Sequence, residues 1–385
     1  MSMITNDYKN ALVSMRQHLH QYPEISHGET ETAAYIVDFL EQFDPDQLIT
    51  GLGGHGIAAI YEGEKEGPAI MIRCELDALP IREGNTKSYR SKYEDKGHLC
   101  GHDGHMVMVA GLAPLFSASR PEKGKVILFF QPAEETGEGA RKVLDDPQFS
   151  GISPDYVFAL HNLPGYDKSS VIIKNGVFAS ASKGLIIKLN GTSSHAGHPE
   201  GGNNPSTAVA LILQTVQSIP QRAVALHEAA LVTPIHIRVG NPAFGTSPGD
   251  GEIMFTIRAH SNEVMESLEK KILHEVRNIA TAHNLSFNSK WTEPFESVDN
   301  DDETVALIRK CANELDLKVI EKEIPFPWSE DFGVLTSEFK GALFGLGSGT
   351  NAPQLHHPNY DFPDDIIESG ISMFYNLVLE LSTEE

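Results

Sequence analysis

Lys125-Val-Ile-Leu-Phe-Phe-Gln-Pro-Ala-Glu-Glu-Thr-Gly137 is the stretch that decides the fold. Lys125–Phe130 is apolar after its first residue and stops at Gln131-Pro132, the pattern of a strand buried on both faces of a helix-covered sheet. Two adjacent carboxylates, Glu134 and Glu135, follow at the end where such a strand emerges. Working outward, similar short runs at Gly56–Tyr61, Ala69–Arg73 and Tyr156–Leu160 are each bounded by Gly, Pro or charged residues. Gly63–Gly67 is expected to join the first two as a hairpin. Tyr8, Leu12 and Leu19 mark one helical face, and Ile36, Val37, Leu40 and Phe43 mark another. The expected fold class is α/β with a mixed sheet.

A different rhythm begins near Lys183. Strands are expected at Gly184–Asn190, Leu231–Arg238, Gly251–Arg258 and Leu285–Trp291, with helices at Asn204–Ser218 and Ser261–His283. The order βαββαβ is ferredoxin-like and self-contained. Residues 184–291 therefore read as an inserted domain, with 1–183 and 292–385 forming the outer one. A helix over Asp301–Leu315, a strand over Ala342–Leu346 and a helix over Asp364–Leu381 resume the outer style.

Composition narrows the function classes. The 385 residues carry a net charge of -23, which leaves no basic stripe to neutralise phosphates and argues against nucleic acid. Met1–Gln21 has no apolar signal-type core, and no run approaches the ~20 apolar residues of a membrane helix. The three cysteines Cys74, Cys100 and Cys311 are too few for a disulfide framework. A cytoplasmic protein with no membrane or nucleic-acid partner is expected, with a thiol available to hold metal.

Chemistry-bearing residues gather after the strands. His98-Leu-Cys-Gly-His-Asp-Gly-His105 packs one thiol and three imidazoles together. Cys100 and His102 can ligate a divalent ion, and Asp103 can orient an imidazole from behind. Glu134 and Glu135 repel each other unless a cation or proton separates their roles, though a solvated acidic turn reads the same way. His161 follows the Tyr156–Leu160 strand, and His356 with His357 lies near the C-terminus. That edge of an α/β sheet is where sites collect.

Cys100-Gly-His-Asp-Gly-His105, Pro132-Ala-Glu-Glu135, His161-Asn-Leu-Pro164 and His356-His-Pro358 together resemble the M20 metallopeptidase family. Arg73-Cys-Glu-Leu-Asp-Ala-Leu-Pro80 and Ser329-Glu-Asp-Phe332 extend the likeness to the branch of N-acyl amino acid amidohydrolases, hippurate hydrolases and plant auxin-conjugate hydrolases. The resemblance implies a catalytic domain of zinc-exopeptidase type with an inserted ferredoxin-like lid that pairs in a homodimer. It implies two divalent ions, Mn²⁺, Zn²⁺ or Co²⁺, bridged by Cys100. His102 and His161 would complete one site, Glu135 and His356 the other, His356 fitting the His-x-Pro pattern better than His357.

By the same resemblance Glu134 is the general base toward a water shared by the two ions, and Asp77 stands behind the ligands. His195, in Ser193-Ser-His-Ala196, would reach the partner's site and contact the substrate carbonyl, and Arg258 would help bind substrate. The implied reaction is hydrolysis of a small N-acylated amino acid. A dipeptidase, an amino-acid-conjugate hydrolase, or an inactive metal-binding relative are the alternatives. Two departures stand out. Glu75 replaces the family's usual Asp, and Gly245-Thr-Ser-Pro-Gly-Asp250 replaces the motif whose Asn helps hold substrate.

Overall fold

A computed structural model describes residues 4–383, which divide into two compact units. The first comprises the chain through Phe178, Val298–Pro325, and Asp331 onward; the second comprises Ala179–Ser297 and Phe326–Glu330.

The first unit contains, among the described residues, an eight-stranded mixed sheet. Its order is Gln47–Leu52, Gly56–Glu62, Lys123–Gln131, Lys65–Glu75, Tyr156–Pro164, Lys340–Gly349, Val171–Ile173, Val319–Glu321. Four neighbouring strands, Lys123–Gln131 through Lys340–Gly349, run parallel. Parallel strands end together, so their carboxyl ends share one edge, and Glu134, Glu135, His161 and the loop after Glu75 emerge there. Val126–Phe130 is fully buried, as a strand covered on both faces must be. Helices His102–Ala110 and Ile367–Ser382 pack on Lys65–Glu75, and Gly139–Leu144 contacts Lys123–Gln131.

The expected hairpin does not form. Gly56–Glu62 pairs antiparallel with Lys123–Gln131, which lies between it and Lys65–Glu75. The chain crosses over the start of Lys123–Gln131, where Gly63 N donates to Gly124 O at 2.8 Å. Gly124 sits at φ +74°, and a Cβ there would fall 2.1 Å from Pro68 O, so only glycine allows this crossing.

The second unit is built on an antiparallel sheet in the order Ala230–Val239, Asp250–Ala259, Ala181–Asn190, Ser286–Phe295. Helices Ser206–Ala223 and Asn262–Ala282 supply its core through Val209, Ile212, Val216, Leu268, Ile272 and Val276. This is the βαββαβ order, with Ser261 capping the second helix by accepting from Val264 N. The short strand Ser194–His195 pairs with Thr246–Ser247, setting His195 opposite Thr246.

Candidate metal centre

Cys100 ends the loop that leads into helix His102–Ala110. Gly101 turns the chain at φ +98°, and a Cβ there would lie 2.3 Å from the Asn162 side-chain oxygen. That tight turn sets Cys100 and His102 beside His161, the three ligand atoms lying within 4.8 Å of one another. Cys100, Glu135 and His356 form a second such group, and His102, Glu134 and Glu135 a third.

The hydrogen bonds behind the cluster set the tautomers. His102 Nδ1 donates to the Asp77 carbonyl at 2.8 Å, so that in the neutral ring the lone pair lies on Nε2. That Nε2 is buried, lacks a hydrogen-bond partner, and stands 3.9 Å from both Glu134 Oε2 and Glu135 Oε1. A ring nitrogen facing two carboxylate oxygens at that spacing calls for a positive charge among them, either a proton on Nε2 or a metal cation. His161 Nδ1 donates to Asn162 O at 2.9 Å, leaving its Nε2 3.5 Å from Cys100 Sγ. Thiolate, imidazole and carboxylate donors in this arrangement fit divalent ions.

Of the electrostatic shifts, that at His161 favours metal ligation outright, while those at Cys100 and His102 favour protons that a bound cation would have to displace. Burial, with the Glu135 carboxylate adding, pushes the Cys100 thiol well up, and His102 works the other way. Burial, with His105 adding, brings His161 down to about 3, so its imidazole is neutral and available as a ligand. Burial disfavours a charged His102, yet Cys100 and Asp77 pull its pKa well above the ordinary value.

Glu135 is fixed from behind by Asp77, whose Oδ2 accepts Glu135 N at 3.0 Å. Its Oε2 stands 3.8 Å from His356 Nε2. His356 sits at φ +65° and donates its N–H to Leu99 O at 2.8 Å, while exposed His357 accepts from Asn359 N instead. Glu134 is buried, and Asp331 N donates to its Oε1 at 3.4 Å. Asp331 in turn accepts from Arg73, Gln131 and Ala140 N.

Not every sequence candidate joins the cluster. His105 donates Nδ1 to Glu75 Oε2 at 2.7 Å and accepts Asn162 N at Nε2, so both nitrogens are engaged. Glu75 also contacts Arg73, and its extra methylene is accommodated in that buried pair. His98 is buried, and burial lowers its pKa to about 4. Asp103 does hold an imidazole, but it is that of His20 rather than one in the His98–His105 run. It follows His102 on the helix and so projects about 100° round the axis from it. His195 is exposed in the second unit and accepts Gly197 N at Nδ1. Arg258, also in the second unit, donates to Pro327 O and Ser329 Oγ.

Sequence reasoning passed over Arg16, His20 and Glu29. Arg16 and His20 stand four apart on the buried stripe of helix Asn6–Gln21, with Leu12, Met15 and Leu19. Two charged residues on an apolar stripe were the available signal.

A parallel-edge α/β unit carrying this donor set has the make-up of a metal-dependent amidohydrolase. The chain belongs to peptidase family M20/M25/M40, whose sequence profile matches residues 71–380. It is 33% identical to an N-acetyl-L-cysteine deacetylase of Bacillus subtilis, over 97% of this chain and 89% of that protein. It is 29% identical to a hippurate hydrolase of Campylobacter jejuni, over 97% of each chain. The crystal structure of a dinuclear metal-binding M20 peptidase from Bacillus subtilis superposes with a TM-score of 0.83 at 26% identity, covering 98% of this chain and 99% of that one.

Proposed function

We propose that this chain hydrolyses the amide bond of small N-acyl amino acids, with Glu134 as general base. The observation that carries the reading is His102 Nε2 facing Glu134 and Glu135 across 3.9 Å, with Cys100, His161 and His356 around them. Cys100, His102, Glu135, His161 and His356 would hold two divalent ions, which when bound supply Lewis acidity and a water acidic enough to lose its proton near neutral pH. Glu134 would take the proton of the attacking water and pass it to the leaving amine. The amide N–H of Asp331 keeps the Glu134 carboxylate from swinging away. With its Nδ1 accepting Gly197 N, a neutral His195 carries its proton on Nε2 and can donate to a substrate carbonyl.

The two named relatives act on an N-acetyl amino acid and on hippurate, which supports an acylated amino acid as the substrate class. A homodimer through the second unit belongs to this reading. Ala230–Val239 is an edge strand with Leu231, Ile235 and Ile237 exposed, a surface suited to pairing with a second copy. Among the described residues no helix is long and apolar enough to cross a membrane.

The test is release of free amino acid from a panel of N-acetyl, N-benzoyl and dipeptide substrates, after chelation and after reloading with Mn²⁺, Zn²⁺ or Co²⁺. Turnover of N-acyl amino acids that chelation removes and one of these ions restores supports the reading. Faster cleavage of dipeptides moves the chain to the dipeptidase alternative, and no turnover with any ion defeats it.

A further inference from the structure

The turn bearing Glu134 and Glu135 has an unusual backbone. Ala133, directly before Glu134, sits at φ 52°, the left-handed region that an alanine rarely enters. Ala133 is also 1% exposed, so its N–H requires a partner inside the protein. That partner is the side chain of Glu29, whose Oε1 accepts Ala133 N at 2.7 Å.

Glu29 is itself 0% exposed and stands at the N-cap position of helix Thr30–Leu40. A polar side chain at an N-cap ordinarily accepts from the first turn of its own helix. Glu29 makes no such bond. The helix is served instead by Glu24, whose Oε2 accepts Thr32 N at 2.8 Å. The Glu29 carboxyl is thus directed away from its own helix and onto the Ala133 amide.

The residues around Glu29 grip the same turn. Ser26 Oγ donates to Asp77 Oδ2 at 2.6 Å, and that oxygen also accepts Glu135 N. His27 Nε2 lies 3.3 Å from Glu138 Oε2. The segment 26–29 therefore holds the turn at Ala133, at Glu138, and through Asp77 at Glu135. Of these contacts the Glu29 bond alone engages the residue with the unfavourable backbone.

We infer that Glu29 is a positioning residue whose carboxyl oxygen fixes Ala133 in its left-handed conformation and so aims Glu134 and Glu135 at the donor cluster. The inference rests on reading Glu134 as base and Glu135 as ligand. Its substance is acceptor geometry, so an amide at position 29 suffices, while a shortened or missing acceptor does not.

The test titrates metal-free wild type, Glu29→Gln, Glu29→Asp and Glu29→Ala with Co²⁺ against a competing chelator, then measures kcat and KM on the reloaded enzymes. Glu29→Gln is expected to stay within a few-fold of wild type. Glu29→Asp and Glu29→Ala are expected to weaken one of the two Co²⁺ sites by about 10–100-fold and to lower kcat by a similar factor with KM unmoved. Glu29→Asp keeps the charge and most of the bulk, and decides the matter where Glu29→Ala does not fold. Wild-type Co²⁺ affinity and kcat in Glu29→Asp overturn the proposal. Equal losses in Glu29→Gln and Glu29→Asp overturn it as well, because the acceptor would then not be what matters. If wild type binds two Co²⁺ yet releases no amino acid, the deacylase reading fails, while the Co²⁺ titration still decides the role of Glu29.

Discussion

His20 donates from Nδ1 to Asp103 Oδ2 at 2.8 Å, and its Nε2 lies 2.8 Å from Glu83 Oε1. Burial opposes an imidazolium here, but the Asp103 charge and the two hydrogen bonds outweigh burial and the nearby Arg16, raising the pKa to about 9. An unfolded histidine titrates near ~6.5, so over this interval the folded state holds a proton that the unfolded state has lost. The stabilisation is therefore complete below about pH 6.5 and is lost as pH rises through about 9. Wild-type unfolding free energy should fall across that window by up to roughly 3 kcal/mol, and His20→Gln should be less stable at its acid end with a flatter slope. Denaturant melts of both proteins across the window check this. A slope unchanged by His20→Gln would remove His20 as its source.

Metal load is the second prediction. Cys100 belongs to a donor group with His102 and His161 and to another with Glu135 and His356. Elemental analysis of reloaded protein should find two divalent ions per chain. Cys100→Ala should weaken both together, because one thiolate would serve each. Chelation should abolish turnover with the circular dichroism spectrum retained. Loss of a single ion in Cys100→Ala would make the thiolate terminal.

The adjacent carboxylates should separate under mutation. Glu134 receives the Asp331 amide, while Glu135 is held by Asp77 and faces His356. Glu134→Gln should keep both ions and lose turnover by ~10²–10⁴-fold, the usual cost of a missing general base. Glu135→Gln should lose an ion. Elemental analysis beside kcat distinguishes the two, and reversed phenotypes would exchange the roles.

These contrasts show what kind of information a single sequence carries. Val126–Phe130 was legible because burial on both faces writes a continuous apolar run. Gln47–Leu52 was not, since only Leu52 is buried and the strand lies at the sheet edge. Val171–Ile173 and Val319–Glu321 are too short for any period to register. Helix His102–Ala110 is buried at every position and so shows no stripe. The metal donors stood out by residue type and by their place after strands. Glu29 did not, because its partner lies 104 residues away and nothing local marks the pairing, and for His20 the apolar stripe marks burial but not the partner 83 residues away. Asp331 lay within a recognised motif, but its tie to Arg73, 258 residues away, exists only once the chain has folded.

His195 offers a test of assembly. It is exposed, and with Nδ1 accepting Gly197 N its remaining donor is Nε2. If it completes the partner's site in a C2 dimer, inactive Glu134→Gln and inactive His195→Ala chains should recover partial activity when mixed, since the heterodimer holds one intact site. Activity assays after subunit exchange, with exchange confirmed by mass, give the answer. No recovery would place His195 in its own chain's site or outside the reaction.

The last prediction follows from Gly245. The family motif it replaces carries an Asn that helps hold the substrate carboxylate, and glycine has no side-chain donor to offer. Arg258 does not fill the gap within the same unit. It lies eight positions beyond Asp250 on strand Asp250–Ala259, about 27 Å along at ~3.4 Å per residue. Its guanidinium, moreover, donates to Pro327 and Ser329. A hydrogen bond to a charged group contributes about 1.5–3 kcal/mol, so its loss weakens binding roughly ten- to a hundred-fold. Wild type should therefore show high KM for simple N-acetyl amino acids and a relative preference for substrates whose carboxylate is amidated. A Cβ at Gly245 meets nothing within 4 Å, and the Gly245 carbonyl already accepts Ala196 N at 3.0 Å, so Gly245→Asn fits without disturbing the loop. That variant should lower KM for the free acids by about tenfold or more and leave the amides unmoved. KM measured for paired acids and amides in both proteins tests the argument. Strong preference for the free acid in wild type, unchanged in Gly245→Asn, would mean that another residue holds the carboxylate.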